Sequence, residues 1–354
     1  MPTRRTALSS AFVLASLLSG AACSQITHSE IEFELTDPAR GRTLAFLVYL
    51  PRPIPASMPV IVVSHGGDGN TFGHTQFPHL GTAYAMAGYL SVHINHRPSE
   101  SGSSQITDRP ADVTFTLDAL GAGLMPLPVA AYAALDLGRV GHTGHSFGAY
   151  TSHAVAGGQY THGSYRDARI DAVAPISPQG EGQFGVFNTS ASINTWVSID
   201  VPTFDLVGEL EISTDGLGNP EPEGWRLQPF SRYTGAADRF LAIVPGADHG
   251  AMGSQGDEPT QTYIARNTLA FFDVYLRGQR GERTHIGLID SLPGTVTRVA
   301  TADINNDGWV TPADFSAWID AFNARRREAD TNTDGSVTPQ DYSAWIALFN
   351  EATR

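Results

Sequence analysis

Short apolar runs, punctuated by glycine and proline and separated by stretches of helical period, set the pattern of this chain. Residues 31–35 and 44–50 look like strands, the second almost continuously apolar. After Pro51, Pro53, Pro55 and Pro59, the run Val60-Ile61-Val62-Val63 leads straight into Ser64-His65-Gly66-Gly67, as a short buried strand ending at a glycine turn would. Further strands are predicted at 89–94, 139–143, 170–176, 203–207 and 240–244, with helical stretches at 81–87, 108–120, 147–156 and 260–276. Asp108 reads as the N-cap of the second helix, with Pro110 in its first turn. In the last helix Ile264, Thr268, Phe271, Phe272 and Tyr275 recur at helical spacing. Strands separated by helices predict an α/β fold: a mostly parallel sheet covered by helices on both faces.

Residues 286–300, with Gly287, Pro293 and Gly294, lack this periodicity and read as a linker between an α/β domain at 24–285 and a small all-α domain at 301–354. The second domain carries a repeat. Phe315, Trp318, Ile319 and Phe322 are matched 27 positions later by Tyr342, Trp345, Ile346 and Phe349, two amphipathic stripes expected to pack on each other.

The chain has 354 residues, 36 of them acidic and 22 basic, for a net charge of −14. That balance argues against a nucleic-acid partner. All 22 basic residues are arginine, which removes Schiff-base and phosphate-loop lysine chemistry. A single cysteine, Cys23, excludes a disulfide framework and a cysteine-ligated metal centre. Residues 1–23 read as an export signal: Arg4 and Arg5, an apolar stretch over 7–18, then Gly20-Ala21-Ala22. Cleavage to a soluble secreted protein is the preferred route. Lipid attachment at Cys23 is the alternative, with Gly20 standing where lipoprotein signals usually have leucine. No later run is long enough to predict a transmembrane segment.

The candidate chemistry begins at Gly144-His145-Ser146-Phe147-Gly148, a Gly-x-Ser-x-Gly between a predicted strand and a predicted helix. Such a turn exposes a serine at its tip, with glycines where the backbone packs too closely for side chains. Ser146 is the candidate nucleophile. A base is expected on the loop after the last strand, Pro245-Gly246-Ala247-Asp248-His249-Gly250, which nominates His249 among 12 histidines. His65, His142 and His145 are expected to be structural. The third member should be a carboxylate beyond an intervening strand. Glu211 is preferred, with Glu181, Glu209 and Asp215 as alternatives; Asp205 falls inside the strand, and Asp248 adjoins the base. Two backbone N–H groups, of Phe147 and Gly67, are the expected oxyanion donors. Phe184, Phe187, Trp196 and Trp225 could line an acyl pocket or belong to the core.

His65-Gly66-Gly67, Asp108-Arg109-Pro110-Ala111-Asp112-Val113, Gly144-His145-Ser146-Phe147-Gly148 and Ile176-Ser177-Pro178-Gln179-Gly180 together resemble the α/β-hydrolases. The likeness is to the branch called predicted dienelactone hydrolases, related to platelet-activating-factor acetylhydrolases, over roughly residues 30–280. It implies a serine esterase of that fold, acting on a small or polymeric ester, with Gly67 and Phe147 as oxyanion donors. A lipase, polyester hydrolase or peptidase of the same fold, or a non-catalytic binding module, are the alternatives. The chain departs from the named families at two points. Dienelactone hydrolases carry a cysteine where this elbow has Ser146, and the acetylhydrolases place the acid after the strand at 170–176, where no carboxylate occurs before Glu181.

The C-terminal repeat has calcium-loop spacing. Asp303, Asn305, Asp307 and Asp314, then Asp330, Asn332, Asp334 and Asp341, hold positions 1, 3, 5 and 12, with glycine at position 6 of each. The pair resembles a type I dockerin over about residues 301–352, which implies two structural calcium ions and docking to a cohesin-like partner.

Overall fold

The computed structural model describes residues 26–67, 72–96, 102–182, 194–216, 218–233, 237–305, 310–332 and 334–352. The expected export signal with Cys23, Asp307, Phe184 and Phe187 lie outside the described residues.

Among the described residues nine strands form one sheet in the order β1-β2-β4-β3-β5-β8-β9-β10-β11. They are β1 (Thr27–Asp37), β2 (Arg42–Arg52), β3 (Met58–Ser64), β4 (Leu90–Asn95), β5 (Leu135–His145), β8 (Ile170–Ile176), β9 (Thr203–Gly208), β10 (Arg239–Val244) and β11 (Val296–Ala300). From β4 through β10 every neighbouring pair is parallel; β1, β2 and β11 join antiparallel at the edges. A short hairpin, β6 (Gln159–Tyr160) and β7 (Gly163–Ser164), stands apart.

The helices are α1 (Pro78–Met86), α2 (Gly102–Gly121), α3 (Val129–Ala134), α4 (Phe147–Ala156), α5 (Gln228–Arg232), α6 (His249–Met252), α7 (Glu258–Arg277), α8 (Pro312–Asn323) and α9 (Gln340–Ala352). Apolar residues fill both sides of the central strands because both faces are covered. In β3, Val60 and Val62 enter one core with Val113, Leu117 and Tyr150 of α2 and α4. Ile61 and Val63 enter the other with Leu80, Tyr84, Phe271 and Phe272 of α1 and α7. The molecule is therefore a mixed α/β structure about a mostly parallel sheet.

Two expectations need correction. Helix α2 starts at Gly102, so Asp108 is no N-cap and Pro110 lies inside the helix. A proline cannot donate to the carbonyl four residues back; that carbonyl, of Ile106, accepts instead from Tyr150 Oη at 2.8 Å. The expected linker is also bound into the structure. Tyr263 Oη donates to the Gly287 carbonyl (2.8 Å), Asn267 and Ile289 exchange hydrogen bonds (2.7 and 3.1 Å), and residues 296–300 become β11. Beyond it Trp318, Ala321, Ala329 and Trp345 form a separate small core between α8 and α9.

Candidate active site

The candidate side chains stand on the loops that follow β5, β9 and β10, at the carboxyl ends of parallel strands, where such sheets build their sites. Ser146 occupies the one-residue turn between β5 and α4 at φ 57° and ψ −115°, a conformation L-residues rarely adopt. A side chain at Gly144 or Gly148 would collide with the Ser64 carbonyl, so strand, loop and helix meet only with glycine at both places.

His249 opens α6 after β10. Asp248 caps that helix through its bond from Ala251 N at 2.8 Å, which occupies the neighbouring carboxylate. His249 Nε2 lies 2.9 Å from Ser146 Oγ, and Nδ1 lies 2.6 Å from Glu211 Oε2. A carboxylate only accepts, so Nδ1 carries the proton and Nε2 is free to accept from the serine. Glu211 ends the turn Glu209–Glu211 after β9. Its Oε1 accepts from Ser177 Oγ (2.6 Å) and Gly208 N (2.8 Å), and Arg226 Nε stands 3.3 Å from Oε2. Burial alone would raise the Glu211 pKa, but His249, Arg226 and Ser177 together hold it below the ordinary glutamate value.

The other carboxylates are engaged elsewhere. Glu181 pairs with Arg232, Glu209 accepts from Gly246 N (2.8 Å), Asp215 from Asn219 (2.6 Å), and buried Asp205 from Tyr233 Oη (3.3 Å). The two residues expected to supply the oxyanion donors are neighbours: a Cβ on Gly67 would lie 2.8 Å from Phe147 Cδ1.

His145, expected to be structural, touches this site, while His65 bonds the carbonyl of Gly66 next to it (2.7 Å). His145 Nε2 donates to the His249 carbonyl (2.9 Å), and the two rings stand 4.5 Å apart. Burial, with His249 beside it, pushes the His145 pKa down to about 3, which keeps this ring neutral next to the base. His142 bridges Ser64 and Ser152 in the interior. Trp196 and Trp225 are core residues. Sequence reasoning missed Ser177 and Arg226, which hold Glu211. Ser177 lay in one of the segments that carry the family resemblance, directly after the strand beside the acid's own, but nothing there gave its role.

At the C-terminal loops, Asp314 accepts from Asn305 N (3.1 Å) and Thr311 N (2.8 Å), and Asp341 from Asn332 N (2.9 Å) and Thr338 N (2.7 Å). The repeat is thus structural as well as sequential. Gly335 N donates to Asp330 Oδ2 at 2.9 Å, while Oδ1 is buried without a hydrogen-bond partner. Burial raises the Asp330 pKa, and Asp341 and Asp334 raise it further. A buried carboxylate oxygen left without a partner is a group that a hard divalent cation would satisfy. Asp334 exchanges hydrogen bonds with Asn332 (both 3.0 Å), and Asp303 lies beside Arg283, 3.4 Å from its Nη1. Among the described residues, no three His, Cys, Asp or Glu side chains are gathered to hold a metal ion. Nor is any described helix long and apolar enough to cross a membrane. Compared with models of protein families and with curated proteins, the chain finds no match.

Proposed function

We propose that this chain is a serine carboxylic-ester hydrolase of the α/β-hydrolase type. One observation carries the reading: Ser146 Oγ, His249 and Glu211 form an unbroken hydrogen-bonded chain of 2.9 and 2.6 Å at the carboxyl ends of β5, β10 and β9. The order nucleophile, acid, base along the sequence is the α/β-hydrolase order.

In this reading His249 Nε2 takes the Ser146 proton as Oγ attacks the acyl carbon, and Glu211 stabilises the imidazolium through Nδ1. The N–H groups of Gly67 and Phe147 receive the developing oxyanion. Nε2 then gives its proton to the departing alcohol, leaving an acyl group on Ser146. Water, deprotonated by His249, attacks that ester, and the acid leaves as Oγ regains its proton. The substrate class in this reading is an apolar ester of short or medium chain.

The C-terminal repeat we read as a dockerin-like module that would bind two calcium ions and dock to a cohesin-like partner. The second loop would use Asp330, Asn332, Asp334 and Asp341, and the first Asp303, Asn305, Asp314 and Asp307. Bound calcium would supply local charge neutralisation and rigidity, outside the ester chemistry. Export rests on the arginine-then-apolar start of the sequence.

The test is fluorophosphonate labelling of the full chain, wild type beside Ser146→Ala, with the modified peptide mapped by mass spectrometry. Labelling at Ser146 that vanishes in the variant is the expected result. No labelling of folded wild type would overturn the reading in favour of a binding module.

A further inference from the structure

Arg109, on α2, is fully buried and faces the backbone that this esterase reading employs. Its guanidinium donates through Nη1 to the His65 carbonyl (2.6 Å), through Nη2 to the Gly66 carbonyl (2.8 Å) and through Nε to Gln105 Oε1 (3.1 Å). Its Cζ lies 4.4 Å from the centroid of the Phe147 ring. One cation thus spans both segments that carry the expected oxyanion donors, the loop after β3 and the first turn of α4. The Gly66 carbonyl takes a second bond, from His65 Nδ1 at 2.7 Å. His65 Nε2 accepts the His96 backbone N–H at 3.0 Å, which fixes the tautomer that leaves Nδ1 protonated.

Peptide geometry turns these contacts into orientation. The Gly66 carbonyl and the Gly67 N–H belong to the same planar trans peptide and point in opposite directions. Whatever holds the one aims the other. A peptide between two glycines has little steric resistance to rotating out of place, so its orientation must come from outside it. Resting on the esterase reading, we propose that Arg109 is a positioning residue of the oxyanion hole: it locks the Gly66–Gly67 peptide so that the Gly67 N–H is presented, and keeps that donor in register with the Phe147 N–H. The planar fork suits the task, because two donors reach successive carbonyls while the flat face stacks on Phe147.

Arg109→Lys keeps the charge and loses the fork. The expected result is a fall in kcat of about 10²-fold toward a soluble aryl ester, with KM within about threefold, the size of losing one oxyanion donor. Affinity for a trifluoromethyl ketone, which mimics the tetrahedral oxyanion, should fall in step with kcat. A purely structural role would lower the melting temperature without splitting kcat from KM or weakening the analogue. Wild-type kcat and analogue affinity in folded Arg109→Lys would overturn the proposal. Should that variant not fold, Gln105→Leu, which frees only Nε, is expected to lose severalfold in the same two readouts, and no loss there would overturn it equally. Fluorophosphonate labelling of wild type separates the two levels. An unlabelled wild type removes the esterase reading and this proposal with it, whereas a labelled wild type beside a fully active Arg109→Lys removes this proposal alone.

Discussion

At Ser146 the backbone holds φ 57° on a residue with a Cβ. Such a conformation costs about 1–3 kcal/mol and persists only where its surroundings impose it. Here the strand on one side, the helix on the other and the bond from Ser146 N to the Ile176 carbonyl (2.9 Å) do so. Glycine tolerates this region, so Ser146→Gly should be inactive yet more stable than wild type by about 1 kcal/mol in chemical denaturation. A less stable variant would mean that the turn is not strained. Glu211 makes a second prediction. Its folded pKa is lowered, so its charged form contributes stability above the ordinary glutamate value that is lost as pH falls through the folded one. The melting temperature of wild type should therefore drop more on acidification than that of Glu211→Gln; parallel curves would contradict this. At neutral pH the same variant leaves Arg226 buried without its counter-charge, a loss of about 3 kcal/mol, and kcat should fall about 10⁴-fold. Ser146, His249 and Glu211 were legible because each sits in a short local pattern whose place along the chain carries the meaning. Ser177 and Arg109 fall inside segments that carry the family resemblance, but their roles were not legible, since a serine at φ 54° and an arginine inside a helix declare no task until their partners are in place.

Helix α2 illustrates how a local signal misleads. Pro110 after Asp108 reads as a helix start, but the preceding turns, polar and rich in serine, are helical too. The tertiary contact that makes this possible, Tyr150 Oη to the Ile106 carbonyl, joins residues 44 apart and leaves no trace in the sequence around the proline. Tyr150→Phe should cost about 1–2 kcal/mol by stranding that buried carbonyl, with the denaturant slope unchanged. Strand β11 was hidden for a different reason. Five residues, Val-Thr-Arg-Val-Ala, are too short and too polar to declare a strand, and only pairing with β10 makes them one. The central strands needed no such help, because burial on both faces makes them continuously apolar.

Over the whole molecule the small C-terminal core is distinct from those of the sheet, but the connection to it is not slack. Arg283 reaches Asp238 (2.7 Å) before β10 and Asp303 of the first loop, and Arg327 reaches the carbonyls of Thr284 (2.6 Å) and Ile286. Chelation is expected to lower the melting temperature of the C-terminal module while ester turnover stays largely intact, because the loops share no residue with the site. Equal loss of both on adding EDTA would refute that separation.

The pairing of β11 with β10 has a practical reach. At the opposite margin of the sheet β1 turns outward Glu30, Glu32 and Glu34, charges that discourage another chain from adding there. The β10 margin bears no such guard among its core-lining residues Phe240, Leu241, Ala242 and Ile243, and relies on being covered. Ending the chain at residue 285, where the composition suggests a boundary, would bare those backbone groups and make a sticky template. Light scattering should find that shorter chain self-associating, whereas one ending just beyond Ala300 stays monodisperse; the sheet domain, in that sense, owns fifteen residues that its sequence assigns to no one.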